Sequence, residues 1–260
     1  MIGEIGVIGE IGEIGVFVLG LCIGSFLNVL IYRLPRSLTL GGRSFCPKCK
    51  KQIAWYDNIP LVSFILLRGK CRKCQFPISL KYPVVELLTG VLFIGVIGGI
   101  RVIGAIGVLG YFAIVSAMIA ILFIDLEHQI IPDELIAIGV FGALGVFLPS
   151  HLSLLTSNLL SAAGASLFFL FLHLITKGKG MGLGDVKLVF LMGLVLGFPK
   201  IIGSLYLAFL TGAIVGVILI LTKKKRFGEH LPFGPFLVGS FLTFLFWGDR
   251  IIQWLTYHFF

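Results

Sequence analysis

The chain has 260 residues, of which 58% are hydrophobic and only 13% are charged, and its mean hydropathy is +1.07. These values exclude a soluble globular domain, in which about a quarter of the residues are charged. The alternation of apolar and polar residues that marks a membrane β-barrel is absent from the sequence. The formal net charge of +9 suits basic loops at a lipid surface, so we expect a lipid bilayer and no nucleic acid as a partner.

Apolar runs long enough to form membrane helices recur along the sequence. The first follows a repetitive Ile-Gly stretch without the basic start of a cleaved signal peptide, so we expect its helix to stay in the protein. Eight such runs can be distinguished, at residues 14–32, 84–100, 103–124, 134–149, 153–176, 186–198, 201–222 and 233–248. The sequence predicts an all-α polytopic membrane protein with about eight transmembrane helices. Because the sixth run is short, six or seven spans is the alternative count.

The basic residues are distributed unevenly between the loops. With the N-terminus outside, 18 of the 21 Lys and Arg residues fall in the inner loops at 33–83, 125–133, 177–187 and 223–232. Cytoplasmic loops of membrane proteins carry this excess of positive charge. The pattern predicts a multi-pass protein whose largest loop lies in the cytoplasm. It divides the chain into residues 1–33 with the first helix, a cytoplasmic domain at 34–83, and a transmembrane core at 84–260.

The cytoplasmic domain is too small to bury much of a core, but it carries four cysteines in two Cys-x-x-Cys pairs. Cys46 and Cys49 form the first pair, and Cys71 and Cys74 form the second. Two such pairs can place four thiolates in a tetrahedron, which suits a structural Zn²⁺ ion. Two disulfides or free thiols are the alternatives, and the reducing cytosol disfavours disulfides.

Few of the 12 acidic residues lie next to apolar helices. Asp125 ends the third run, and Asp185 stands at the start of the sixth, behind the glycines of GMGLGDVKLVF at 180–190. Asp185 by itself reads as a helix cap. However, both acids fall on the cytoplasmic side, where two close carboxylates would share a proton and catalyse peptide hydrolysis. Glu86 opens the second run, where an acid favours a helix start, and a second role stays open.

The order of several sequence blocks resembles the bacterial type IV prepilin peptidases, also called prepilin leader peptidase/N-methyltransferases, which belong to the GxGD-type intramembrane aspartyl proteases. The resemblance extends from about residue 20 to about residue 240. The blocks are GSFLNVLIYRLPRS at 24–37, CPKC at 46–49, DNIPLVS at 57–63, CRKC at 71–74, ISLKYPVVE at 78–86, IDLEHQIIPD at 124–133 and GLGDVKL at 182–188.

The resemblance implies that the substrate is a type IV prepilin or a type II secretion pseudopilin, cut after a glycine at the cytoplasmic face of the inner membrane. Asp125 and Asp185 would carry out the hydrolysis. The resemblance also implies methylation of the new N-terminus by S-adenosylmethionine, an activity assigned to the cysteine loop. Gly69 matches a family position tied to methyl transfer, whereas no block identifies where S-adenosylmethionine binds.

Two other functions are weighed against this one. The first is a peptidase without methyl transfer, in which the cysteine module is a structural or docking domain. The second is a non-enzymatic transporter or assembly scaffold with acids along a pathway. The sequence argues against the second, because its acids cluster at one membrane face and no chain of them crosses the bilayer.

Overall fold

The computed structural model describes residues 2–99, 104–147, 152–178, 180–223 and 231–259. In these residues the chain forms nine α-helices and two short 3-10 helices, and the only β pairs there are the isolated bridges Phe45–Gln52 and Lys70–Pro77. The α-helices are α1 (Ile2–Arg33), α2 (Val62–Leu66), α3 (Lys81–Gly99), α4 (Gly104–His128), α5 (Asp133–Phe147), α6 (Leu152–Ile175), α7 (Leu183–Leu196), α8 (Lys200–Leu221) and α9 (Gly234–Phe259). The 3-10 helices are Leu34–Arg36 and Trp55–Asn58. The predicted all-α class is confirmed.

Each of the eight predicted apolar runs forms a helix, but six of the described helices are long and apolar enough to cross a membrane. The other two are α5, with 15 residues, and α7, with 14. At 1.5 Å per residue these are about 21–23 Å long, whereas the hydrocarbon core of a bilayer is about 30 Å thick. By length and composition, the described residues therefore contain six candidate spans, somewhat fewer than the eight expected.

Residues 1–101 and residues 102–260 form two compact units. In the first unit, α1 packs closely along α3. A Cβ atom added to Gly20 would lie 2.6 Å from the Cα of Gly90, and one added to Gly24 would lie 2.6 Å from the Cα of Glu86. The two backbones therefore touch, which only small residues permit. One turn beyond this contact, the Asn28 side-chain amide donates a hydrogen bond to the Tyr82 carbonyl at 3.1 Å.

In the second unit, α4 and α7 are the central helices. α4 packs against α5 and α9, and α7 contacts α5, α6, α8 and α9. Ten of the 14 residues of α7 are buried, as are 12 of the 25 in α4, compared with four of the 22 in α8. A helix that is apolar on all sides is expected at such a buried position. Consequently, Asp125 on α4 and Asp185 on α7 lie inside the unit.

Candidate functional sites

The two aspartates singled out by the sequence lie on the central helices of the second unit. Asp125 is in the last turn of α4 and is 5% exposed, while Asp185 is in the first turn of α7 and is 9% exposed. Gly184, the residue before Asp185, contacts Ile131, which follows Asp125 by six residues. Burial of two acids in an apolar helix bundle is costly unless they are held by donors, so the partners of each group define the site.

Asp125 is held by the backbone at the start of α9. The Gly234 N–H donates to Asp125 Oδ2 at 3.0 Å. A Cβ atom on Gly234 would lie 2.6 Å from that same oxygen, so only glycine can approach it. Gly234 is the first residue of α9, and the N-terminus of a helix favours a negative charge nearby. Nothing in the sequence indicated this partner, which lies 109 positions further along the chain.

Asp185 is held by its own glycine-rich lead-in. The Gly182 N–H donates to Asp185 Oδ2 at 3.0 Å, so this carboxylate also caps the start of α7. The acid occupies the third helical position rather than the cap itself, as in the acidic half of a capping box. Gly184 packs directly against Ile131, since a Cβ atom there would lie 3.0 Å from the Ile131 Cβ. The capping role and a role in a carboxylate pair are therefore compatible in this geometry.

Two further contacts fix the segment around Asp185. His173 near the end of α6 has its Nδ1 atom 2.7 Å from the Met181 carbonyl. Because a carbonyl only accepts, the ring must carry its proton on Nδ1. On the other side, Lys187 Nζ bridges both oxygens of Asp133 at 2.7 and 2.8 Å, joining the start of α5 to α7. His173 was not among the residues picked from the sequence, where a lone histidine in an apolar run carries no such signal.

The four predicted metal ligands come together in the first unit. The Sγ atoms of Cys46, Cys49, Cys71 and Cys74 all lie within 4.8 Å of one another. Each Cys-x-x-Cys pair lies in the same kind of tight turn, in which the N–H four residues on donates to the carbonyl of the first cysteine. Lys50 donates to Cys46 and Gln75 to Cys71, both at 2.9 Å. The predicted cysteine cluster between the first two membrane helices is therefore present.

The dimensions and chemistry of the cluster fit a tetrahedral metal ion. With metal–sulfur distances of about 2.3 Å, sulfur atoms at tetrahedral corners are roughly 3.8 Å apart. The Cys46 and Cys74 Sγ atoms are 3.7 Å apart. The Cys49 backbone N–H lowers the pKa of Cys46 to about 7, whereas burial and the neighbouring thiols raise the pKa of Cys74 to about 11, so it is the sulfur geometry that fits a metal. The set of four soft ligands leaves no position for a reacting molecule, as in structural sites.

Other contacts hold the module around the cluster. Arg72, between the second pair of cysteines, binds both oxygens of Asp57 at 2.6–3.1 Å, and this guanidinium lowers the pKa of Asp57. Gly69 adopts a positive φ of 67°, and a Cβ atom there would lie 3.2 Å from the Phe64 ring. Gly69 therefore shapes the module through its backbone and through the position of Phe64.

Comparison with known families gives two adjoining matches. Residues 18–99 match the bacterial peptidase A24 N-terminal domain, and residues 112–217 match the type IV leader peptidase family. The first match lies within the first compact unit and the second within the other. No solved structure shows a significant similarity to the chain.

Several curated relatives carry the name prepilin leader peptidase/N-methyltransferase. The relative from Aeromonas hydrophila is 35% identical, and the match covers 94% of the chain and 93% of the relative. The one from Legionella pneumophila is 36% identical over 90% of the chain and 91% of its own length. The one from Myxococcus xanthus is 36% identical over 80% of the chain, which corresponds to 63% of that longer relative. The chain belongs to the prepilin leader peptidase/N-methyltransferase family, and the resemblance seen in its sequence blocks is confirmed.

Proposed function

We propose that the chain is a membrane-embedded aspartyl endopeptidase whose catalytic residues are Asp125 and Asp185. Its substrates are type IV prepilins or type II secretion pseudopilins, which it cuts after a glycine at the cytoplasmic face of the bacterial inner membrane. The observation that carries the proposal is that two buried carboxylates lie at the end of α4 and the start of α7, where Gly184 contacts Ile131. The excess of basic residues in the loops on that side supports a cytoplasmic position for the pair and an external N-terminus.

The geometry suits general acid–base hydrolysis. Each aspartate has one oxygen engaged by a backbone N–H, from Gly234 and Gly182 respectively, which leaves the second oxygen of each group for proton transfer. The ionised aspartate takes a proton from water as the water oxygen bonds to the peptide carbonyl carbon, and the protonated aspartate gives its proton to the carbonyl oxygen. The C–N bond then breaks as the leaving nitrogen takes up a proton, and the pair returns to its shared-proton state.

Cleavage of a purified prepilin by Asp125→Asn and Asp185→Asn tests the assignment. Each change keeps the size of the side chain but removes the acid–base function, so we expect the rate to fall by on the order of 10²–10⁴-fold. Asp249→Asn is the matched control, because that acid is 78% exposed and pairs only with Lys200 among the described residues. Wild-type cleavage by either of the first two variants would show that the pair is not catalytic.

We further propose that the first unit serves the second activity named in the family. The new N-terminal amine, in its neutral form, bonds to the methyl carbon of S-adenosylmethionine as the carbon–sulfur bond breaks, sulfur keeps the electron pair, and the amine releases one proton. Zn²⁺ held by Cys46, Cys49, Cys71 and Cys74 stabilises the cytoplasmic domain at residues 34–83 without taking part in this step. Gly69 affects methyl transfer through the shape of this domain.

One incubation distinguishes a protein that is only a peptidase from a bifunctional enzyme. Purified protein is given prepilin and S-adenosylmethionine carrying a labelled methyl group. We expect label on the mature pilin and none on the uncleaved precursor. A product that is cleaved but unlabelled would remove the methyltransferase half of the proposal and leave the peptidase half intact.

A further inference from the structure

A cavity of about 410 Å³ lies in the first unit between the cysteine module and the ends of α1 and α3. Its volume is within the roughly 300–1,000 Å³ range of small-molecule sites. Residues of α1 and α3 form part of the cavity wall, and residues of the module form the rest. Cys46 and Cys71 are among the residues on the module side. The proposed peptidase chemistry of the second unit makes no use of this space.

Asn28 is a residue of the cavity wall and carries an unsatisfied acceptor. The side chain is 5% exposed, and its amide nitrogen donates to the Tyr82 carbonyl, which fixes the orientation of the group. Its Oδ1 atom is buried and has no hydrogen-bond partner in the part of the chain that the structure describes. A buried acceptor left in this state costs about 1–3 kcal/mol, so a ligand that carries an N–H donor is stabilised there.

Glu86 brings a carboxylate to the same cavity from α3. It is 8% exposed, and its Oε2 atom accepts a hydrogen bond from the Leu61 N–H at 2.8 Å. The hydroxyl of Ser25, another cavity residue, lies near this carboxylate. No Lys or Arg among the described residues forms an ion pair with it. A buried carboxylate with neutral donors only is a binding group for a cationic or ammonium-bearing ligand.

The remaining walls supply the other features of a nucleoside site. Aromatic rings from three segments line the cavity and offer flat apolar faces to a heterocyclic base. Lys51 and Lys73 are also present at the wall and can meet a carboxylate. The aromatic residues are Tyr32, Phe45, Tyr56, Phe64, Phe76 and Tyr82.

We propose that this cavity binds the methyl donor S-adenosylmethionine. The donor joins a flat base with an exocyclic amine, a positively charged sulfonium, an ammonium group and a carboxylate, and the cavity offers a counterpart to each. Glu86 balances the positive charge, and Asn28 Oδ1 accepts an N–H of the ligand. The inference rests on the methyltransferase half of the proposed function and adds its location. It also explains how Gly69 affects methyl transfer without lining the cavity, because Gly69 packs against Phe64, which does line it.

Equilibrium binding of radiolabelled S-adenosylmethionine to the full-length protein in nanodiscs tests the site. We expect Glu86→Gln and Asn28→Leu each to raise the Kd by about tenfold or more, the effect of losing one charge-assisted or buried hydrogen bond. Glu13→Gln makes the same chemical change at an exposed position of α1 and should bind like the wild type. Zinc content reports whether the module of each variant is folded. Unchanged affinity in both cavity variants would overturn the proposal, as would a wild-type protein that fails to bind the donor.

Ultraviolet crosslinking of the labelled donor to the wild-type protein tests the site without any substitution. We expect the label on peptides that contain Tyr32, Tyr56 or Tyr82. Label confined to residues 102–260 would overturn the cavity assignment. Methyl transfer to cleaved prepilin, measured in the same preparation, reports separately on the proposed function. Labelled pilin together with a crosslink in the second unit would therefore retain the activity and reject only this site.

Discussion

Gly234 has no side chain, and Asp125 occupies the space where one would lie. The added methyl group of Gly234→Ala would come within 2.6 Å of Asp125 Oδ2, so either the carboxylate or the start of α9 must shift. Displacement of a catalytic group by about 1 Å can cost roughly 100-fold in rate, and we expect a loss of that order in prepilin cleavage.

The same change at Gly239, on the same helix, is the matched control. A Cβ atom there meets nothing within 4 Å, and alanine favours the helix more than glycine does. We expect Gly239→Ala to cleave at the wild-type rate. Equal rates for the two variants would mean that the Gly234 contact does not position Asp125.

At this scale, the sequence identifies residues whose chemistry is rare in their surroundings. Asp125 and Asp185 stand out because a carboxylate beside an apolar helix is costly, and the cysteines stand out because of their spacing. Gly234 acts through a backbone N–H group, which every residue except proline possesses, so its identity carries no chemical signal. Asn28 and His173 depend on contacts made only after folding. For the same reason, Glu86 could be assigned no more than a helix-start role with a second role left open.

At the scale of elements, the turn between α6 and α7 is fixed by His173 as well as by its own glycines. The His173 Nδ1 atom lies 2.7 Å from the Met181 carbonyl oxygen, and Met181 precedes Asp185 by four residues. His173→Phe keeps a ring but loses the donor, so we expect kcat for cleavage to fall roughly 10- to 100-fold while KM changes little. His173 would thus be a positioning residue.

His173→Asn separates positioning from packing. The asparagine amide nitrogen lies near the place of the histidine Nδ1 atom, so it can restore the bond to the Met181 carbonyl. We expect this variant to recover most of kcat although its side chain is smaller. If the asparagine variant is as slow as the phenylalanine variant, the hydrogen bond to Met181 does not determine kcat.

Helix positions were predicted better than helix roles. All eight apolar runs are helices, because burial of apolar side chains fixes their existence. The sequence did not show that the described parts of α5 and α7 are shorter than the other membrane helices. It also contained an unused signal, since Gly20 and Gly24 are spaced as in GxxxG and mark the face of α1 that contacts α3.

At the scale of the whole molecule, the cysteine cluster and the aspartate pair belong to different compact units. We expect purified protein to contain one zinc ion per chain. Removal of the metal by a chelator should then reduce methyl transfer far more than prepilin cleavage, because loss of the ion unfolds part of the first unit. Both activities are measured on the same chelated sample, with zinc added back as the control. Equal loss of the two activities would show that the metal supports the peptidase as well.

The close crossing of α1 and α3 has a thermodynamic consequence for the cavity beside it. Because Gly20 and Gly24 bring the two backbones into contact, neither helix can slide or rotate without a clash. Asn28 and Glu86 are carried by these helices, one on each. The two groups are therefore preorganised: their separation is set before a ligand arrives, and little conformational entropy is lost on binding. A small molecule entering between them would gain affinity from a framework already ordered by a pair of glycines.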